Sequence, residues 1–329
     1  MSLPTTRKAL IVSAADTSQF ELVEREVPQP GPYELLVEVK AVSVNPVDTK
    51  VRAKRAGKVL GWDASGVVVA RGSEVRRFRE GDEVFYAGEI TREGTNTSLH
   101  LVDERIAGRK PRKLDHLHAA SIPLTALTAW EGLYEQLEAK RGGTLLVIGA
   151  AGGVGSLAVQ MASRVTKMNV IGTASRDTTR EWVKKMGAAH VVNHRENLPA
   201  QLAALGVKNV DAIFCCVGTD AHFEAMAEVI APGGRIVSIV EPEQPLPMGK
   251  LFGKRASFAW EFMFSKSMHK TPDLVSQQAI LDRVADLLDE GVLTSTLTVD
   301  AGVLEPAALA EAHRTVASGK MVGKLAFRL

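Results

Sequence analysis

Thr144-Leu-Leu-Val-Ile148-Gly149-Ala-Ala-Gly152-Gly153-Val154-Gly155 is the stretch whose reading decides the fold. Thr144 to Ile148 has the nearly continuous aliphatic content of a strand buried on both faces. The glycines that follow permit a sharp turn, and Val154, Leu157, Ala158 and Met161 then recur at helical spacing. Strand, glycine turn and helix in that order bring unbonded backbone amides and the positive end of a helix dipole to one point, a geometry suited to a pyrophosphate. A glycine triplet alone also occurs in ordinary structural turns. What distinguishes this one is a second strand, Asn169 to Thr173, where a βαβ unit requires it.

Outward from that turn the alternation continues. His190 to Asn193, Ala212 to Val217 and Arg235 to Val240 read as further strands, with amphipathic segments beginning near Val154, Thr178, Leu198 and Ala221. The middle of the chain is therefore expected to be a doubly wound parallel sheet. The first third differs: Ala9 to Val12, Glu34 to Val44, Ala64 to Ala70 and Glu83 to Tyr86 are short runs separated by Pro-Gly and Gly-Asp turns, as in a compact, partly open barrel. After Phe264 come an amphipathic helix through Ile280, Val284, Leu287 and Leu288, closed by Gly291, and strands at Thr294 to Val299 and Lys324 to Phe327. The expected division is 1–123, 124–265 and 266–329, with the last segment rejoining the first.

Two segments imitate targeting signals. Arg7-Lys8 before the apolar Ala9 to Ala15 resembles a short signal peptide, but the run alternates like a strand. Gly142 to Ser163 has no charge and is long enough to cross a bilayer, yet its six glycines and Gln160 fit strand, loop and buried helix. The 329 residues carry 40 Lys plus Arg against 38 Asp plus Glu, a formal charge of +2 that gives no reason to expect nucleic acid or an anionic membrane as main partner. The two cysteines, Cys215 and Cys216, cannot build a disulfide framework or a four-cysteine zinc lobe, and a reducing cytoplasm is the expected location.

The end of the second strand should select the nucleotide. NAD enzymes place a carboxylate about 20 residues beyond the glycines to bind the adenosine ribose. Here Ala174 stands nineteen positions after Gly155, followed by Ser175 and Arg176, a hydroxyl and a guanidinium able to hold a 2′-phosphate. NADPH is the expected cofactor; the competing reading makes Arg176 a solvated turn residue and assigns the ribose to Asp177. His194, ending the third strand, is a further candidate for the same phosphate. Gly152, Gly153, Val154 and Gly155 would cradle the pyrophosphate.

Several segments together resemble one family. Ser43-Val44-Asn45-Pro46-Val47-Asp48, Gly61-Trp62-Asp63-Ala64-Ser65-Gly66, Gly81-Asp82-Glu83-Val84, Leu124-Thr125-Ala126-Leu127-Thr128-Ala129-Trp130, the glycine loop and Ser318-Gly319-Lys320-Met321-Val322-Gly323-Lys324 are similar to motifs of the medium-chain dehydrogenase/reductase superfamily, in particular its zinc-independent quinone oxidoreductase branch. The resemblance implies a GroES-like catalytic domain built from both chain ends, an inserted Rossmann domain, an active site in the cleft and a homodimer. Zinc-dependent relatives hold metal with a Cys, the His of a Gly-His-Glu motif and a third ligand. This chain has Asn45 near the first position and Trp62-Asp63 for His-Glu, so no metal is expected; His100, His116 and His118 are the remaining potential ligands.

Without a Lewis acid, an isolated aldehyde or ketone is a poor hydride acceptor, and quinones or α,β-unsaturated carbonyls, which spread the arriving charge themselves, are the expected substrates. Asn45 is the first candidate to donate to substrate or to the nicotinamide ribose, the alternative being a cap on the Asn-Pro turn. Tyr86 is the second candidate donor, the alternative being a buried, internally bonded tyrosine. By carry-over from the family motifs, Thr128, Cys216, Val217, Gly218 and Val240 would contact the nicotinamide end. Lys320 and Lys324 are candidates to approach the cofactor phosphate, the alternative being solvated charges beside a terminal strand. Phe252, Trp260, Phe262, Met263 and Phe264 would form a substrate wall, a dimer seam, or both. Two other functions stay open: an enoyl-thioester reductase on the same scaffold, and a non-enzymatic NADPH-sensing or RNA-binding role.

Overall fold

The computed structural model describes residues 4–329 and divides into two compact units, one formed by the chain up to Leu124 together with Phe264–Leu329, the other by Thr125–Met263. In the first unit the strands β1 (Thr6–Val12) and β2 (Phe20–Glu26) form an antiparallel pair. The strands β3 (Glu34–Ser43), β4 (Ala64–Arg71), β5 (Glu83–Tyr86), β6 (Leu99–Asp103) and β7 (Ala107–Arg109) belong to a second sheet, with helix α1 (Pro46–Arg52) between β3 and β4. Asn45 is the residue before α1 and Pro46 opens it, where a missing N–H breaks no helical bond. Helix α2 (His116–Ala120) then leads to α3 (Pro123–Trp130).

The second unit contains the strands β8 (Thr144–Ile148), β9 (Asn169–Thr173), β10 (His190–Val192), β11 (Val210–Cys215), β12 (Ile230–Ser238) and β13 (Ser257–Trp260). They form a six-stranded parallel sheet in the order β10-β9-β8-β11-β12-β13, with helices α4 (Gly153–Gln160), α5 (Asp177–Met186), α6 (Leu198–Ala204), α7 (Thr219–Val229) and α8 (Gly249–Phe252) in the connections. Leu145 to Ile148 are fully buried, so their apolar run reflects cover on both sheet faces. The strand order reverses between β8 and β11, and ligands of such sheets bind at the carboxyl ends of the strands beside that reversal.

The chain then returns to the first unit through α9 (Phe264–His269), α10 (Ser276–Asp289), β14 (Leu297–Val303), α11 (Pro306–Ala317) and β15 (Lys324–Arg328). β15 pairs antiparallel with β3 and parallel with β14, completing a seven-strand sheet to which the two chain ends both contribute. Strand boundaries differ from the sequence reading in places. β11 ends at Cys215 rather than Val217, because Gly218 adopts a left-handed conformation and starts α7. β12 begins at Ile230, and Val240 lies beyond it. β14 runs to Val303. No helix among the described residues is long and apolar enough to cross a membrane, and Gly142 to Ser163 is strand, loop and helix.

Candidate functional site

In the second unit, Gly149 leaves β8 with φ +78°, and its amide donates to the Thr173 Oγ1 at 3.0 Å, which ties the first two strands together at their carboxyl ends. A Cβ on Gly155 would stand 2.5 Å from the Gly149 carbonyl oxygen and 2.7 Å from the Ala150 Cα, so only glycine lets α4 pack this closely on the loop. Gly152 precedes the helix in extended conformation, and a Cβ there would meet nothing nearer than 3.7 Å, which leaves space over the loop. Ser156 N–H makes the first helical bond, to Gly152 at 2.8 Å. The amides of Gly153, Val154 and Gly155 lie in the first turn, where a helix has no acceptor of its own, and this cradle fits the diphosphate of a dinucleotide.

The other expected nucleotide residues line the same strand ends. Ala174 is buried, Ser175 half-buried and Arg176 exposed; Arg176 is the extended residue that precedes α5, its amide donating to Thr179 Oγ1 at 3.1 Å. Asp177 occupies the first turn of α5, where a carboxylate is favoured by the helix dipole. His194 follows β10, half-buried, its ring edge-on to His222 at 5.7 Å. Burial, followed by His222 and Arg195, holds its imidazole below the ordinary range, and its buried Nδ1 has no hydrogen-bond partner.

Beyond β11, Cys216 is half-buried and its amide donates to the Ile148 carbonyl at 2.9 Å, while Val217 is exposed. A Cβ on Gly149 would reach a Val217 methyl at 2.9 Å, so the glycine loop and the Cys216-Val217-Gly218 turn are neighbours at the strand reversal. Burial pushes the Cys215 thiol up to about 11, and burial together with Cys215 pushes that of Cys216 well above its ordinary range, so neither is activated as a thiolate. Val240 follows β12, its carbonyl accepting from the Thr219 hydroxyl, and Thr128 is buried on α3. Lys320 is exposed and belongs to the first unit.

The first unit holds a buried polar network that the sequence reading did not assemble. Lys324, at the start of β15, extends its ammonium to the Val44 carbonyl at 2.8 Å, Asn45 Oδ1 at 2.5 Å and Asp63 Oδ2 at 3.3 Å. Asp63 Oδ2 also accepts from Ser43 Oγ and Asn45 Nδ2, each at 2.8 Å, and Asp63 Oδ1 accepts from the Leu124 amide at 2.8 Å. Asp48 Oδ2 accepts from the Asn45 amide at 2.6 Å, while its buried Oδ1 has no partner. Asn45, Asp48, Asp63 and Lys324 are each less than 5% exposed. Burial drives the Asp48 carboxyl up to about 7 and raises that of Asp63, with the Lys324 charge opposing both; burial also lowers the Lys324 ammonium.

These positions bear on the remaining site expectations. Asn45 is not an open donor: its Nδ2 is turned to Asp63 and to the Trp62 carbonyl at 3.4 Å, and its Oδ1 to Lys324. Tyr86 does not reach outward, because β5 is covered on both faces there; its ring stacks with that of His100, whose Nδ1 meets the hydroxyl at 3.1 Å, and burial raises the phenol far above its usual range. Lys324 is an internal group and not a surface phosphate contact. The aromatic cluster divides, Phe252, Trp260 and Phe262 being exposed while Met263 and Phe264 are buried, with Phe264 edge-on to Trp62 at 6.1 Å. The three histidines are also apart in their bonding: His100 joins Tyr86, His116 joins Ser65 and Glu83, and His118 joins Asp115. Among the described residues no group of three or more His, Cys, Asp or Glu side chains is arranged to hold a metal ion.

The family model of the alcohol dehydrogenase GroES-like domain matches residues 31–108, and that of the zinc-binding dehydrogenase matches residues 153–277. A zinc-type alcohol dehydrogenase-like protein of Staphylococcus aureus is 39% identical over 319 residues, which cover 94% of this chain and 95% of that one. Among solved structures, a candidate zinc-dependent alcohol dehydrogenase from Rhizobium etli CFN 42 superposes with a TM-score of 0.93 at 43% identity, covering 99% of each chain. A quinone oxidoreductase from Coxiella burnetii superposes with a TM-score of 0.80 at 25% identity, covering 98% of this chain and 99% of its own. The GroES-like unit and the parallel nucleotide-binding sheet are those of these proteins. The chain belongs to the medium-chain dehydrogenase/reductase superfamily of oxidoreductases, in the branch whose members are named zinc-type alcohol dehydrogenase-like proteins and quinone oxidoreductases.

Proposed function

We propose that this protein is an NADPH-dependent, metal-independent reductase that delivers hydride to quinones or α,β-unsaturated carbonyls. The observation that carries the reading is the donor set around Asn45 and Asp63. An amide and an indole stand where zinc-dependent relatives carry the Cys and His ligands, Asp63 follows at the Glu position, and the Lys324 ammonium is bonded to Asn45 Oδ1 and lies beside Asp63 Oδ2. Zinc does not fit these residues, since the Trp62 indole has no lone pair to offer a metal, an amide oxygen is a weak zinc ligand, and the Lys324 ammonium already places a positive charge beside Asn45 Oδ1 and Asp63 Oδ2. The reaction is therefore derived without a metal.

A nicotinamide cofactor held through its diphosphate by the glycine loop would supply the hydride. Gly153, Val154 and Gly155 would hold the diphosphate through first-turn amides, and Ser175 and Arg176 the 2′-phosphate, with Asp177 employed at the start of α5. Cys216, Val217, Gly218, Thr128 and Val240 would border the nicotinamide end. His194 and Lys320 remain candidates for phosphate contact. Asn45 and Tyr86 are both engaged internally, which suits acceptors that delocalise charge and take their proton from water. The outer edge of β13, flanked by exposed Trp260 and Phe262, supports a homodimer.

The reading is tested by steady-state rates with NADPH and NADH against quinones, enones, enoyl thioesters, aldehydes and alcohols. Rapid NADPH oxidation by quinones or enones, with negligible alcohol oxidation and no effect of chelators, is the expected result. A marked preference for enoyl thioesters would replace it with the thioester reductase, and tight NADPH binding without turnover on any acceptor would replace it with a sensing role.

A further inference from the structure

We propose that Lys324 is a resident internal cation that does the positioning work of an active-site ion: it holds the Ser43–Asp48 segment and the Trp62-Asp63 segment in register from the opposite end of the chain.

The geometry is that of a saturated ammonium. Lys324 has three N–H donors and faces three acceptors from two different segments, the Val44 carbonyl, the Asn45 amide oxygen and the Asp63 carboxylate. The Asn45 side chain then has one possible orientation, oxygen toward Lys324 and nitrogen toward Asp63. Asp63 is met by the Leu124 and Asn45 N–H groups, the Ser43 hydroxyl and the ammonium, so the ionised acid is matched at every contact and a proton on it would gain nothing. The three side chains come from positions 45, 63 and 324, joined by the pairing of β3 with β4 and with β15. Burial makes the arrangement all or none: one partner removed leaves the other charged and dry. Lys324 acts through Asn45 and Asp63 and is a positioning residue, not a catalytic one.

The full-length Lys324→Ala variant tests this, because it removes the three methylenes and ammonium that n-propylammonium can replace. The expected result is a lowered Tm that rises saturably with n-propylammonium chloride, and does not rise with equal sodium or tetramethylammonium chloride. This arm does not depend on the enzyme assignment. A second arm rests on the reductase reading: kcat for NADPH-driven quinone reduction falls about tenfold or more while the KM for NADPH stays within about twofold, and the amine restores kcat. Lys324→Met, which fills the space without charge, should lose stability and show no amine rescue. Wild-type Tm and kinetics in both variants would overturn the proposal, as would a Tm of Lys324→Ala indifferent to the amine. If Lys324→Ala does not fold, 15N-lysine spectra of the wild type decide the matter: a slowly exchanging ammonium Nζ at neutral pH supports the proposal, and a neutral amine contradicts it.

Discussion

The glycine loop of the second unit and the buried network of the first are both suited to holding charge in a fixed place, by opposite means. The cradle uses backbone: amides at the start of α4 and a glycine at 155 where a Cβ would find no room. The network uses side chains that are complementary only once three distant segments have assembled. A backbone site is local and tolerates changes of surface side chains around it. A side-chain network is cooperative and fails as a whole.

The strongest way to break the comparison is at the cradle. Gly155→Val places atoms inside the Gly149 carbonyl contact, and the displaced loop should reduce kcat/KM for NADPH by about a hundredfold, measured by steady-state kinetics. On the network side, Asp63→Ala strips the Lys324 ammonium of its carboxylate and leaves the Leu124 amide without its acceptor, so chemical denaturation should show a loss of about 3–5 kcal/mol. A loss near that of an exposed ion pair, under about 1 kcal/mol, would mean that the network is not cooperative.

Smaller effects sharpen the contrast. Arg176→Ala should weaken NADPH by about tenfold and NADH little, since one charge-assisted contact is worth about 1.5 kcal/mol; equal effects on both would remove the 2′-phosphate assignment. The pH dependence of stability separates the network from its surroundings. Burial holds His100 down to about 4 against an unfolded value near 6.5, so its contribution is fully present above about pH 6.5 and is lost as pH falls toward 4. Asp48 acts in the opposite sense: its carboxyl is raised from 3.8 to about 7, so the folded protein binds a proton the unfolded chain has released, and stability declines as pH rises through that window. Asp48→Asn should therefore gain on the wild type progressively between about pH 4 and 7 and gain nothing below, as read from melts across pH. The smallest change is expected from Tyr86→Phe, a loss of about 1 kcal/mol for the bond to His100 with kcat unaltered.

The same contrast explains what the amino-acid sequence discloses. The order of strand, glycine turn and helix around Gly149 to Gly155 is written in consecutive residues, so the parallel sheet and the glycine loop that opens α4 are legible there. Lys324 is not: 279 positions separate it from Asn45, and a lysine beside a terminal strand reads as a solvated charge until β15 is seen to pair with β3. Its position between Gly323 and the apolar Leu325-Ala326-Phe327 is the available signal, since a charge that enters a buried apolar run must itself find partners. Tyr86 is left between two readings for a related reason, as alternation along β5 does not reveal that both of its faces are covered.

The central proposal is that this chain reduces its acceptor without a metal. Its most direct test is the rate of NADPH-driven quinone reduction measured alongside the metal content of the same chelator-treated protein. The account predicts undiminished turnover at far less than one metal ion per chain. Turnover that falls in proportion to zinc removed, and returns with zinc added, would contradict it.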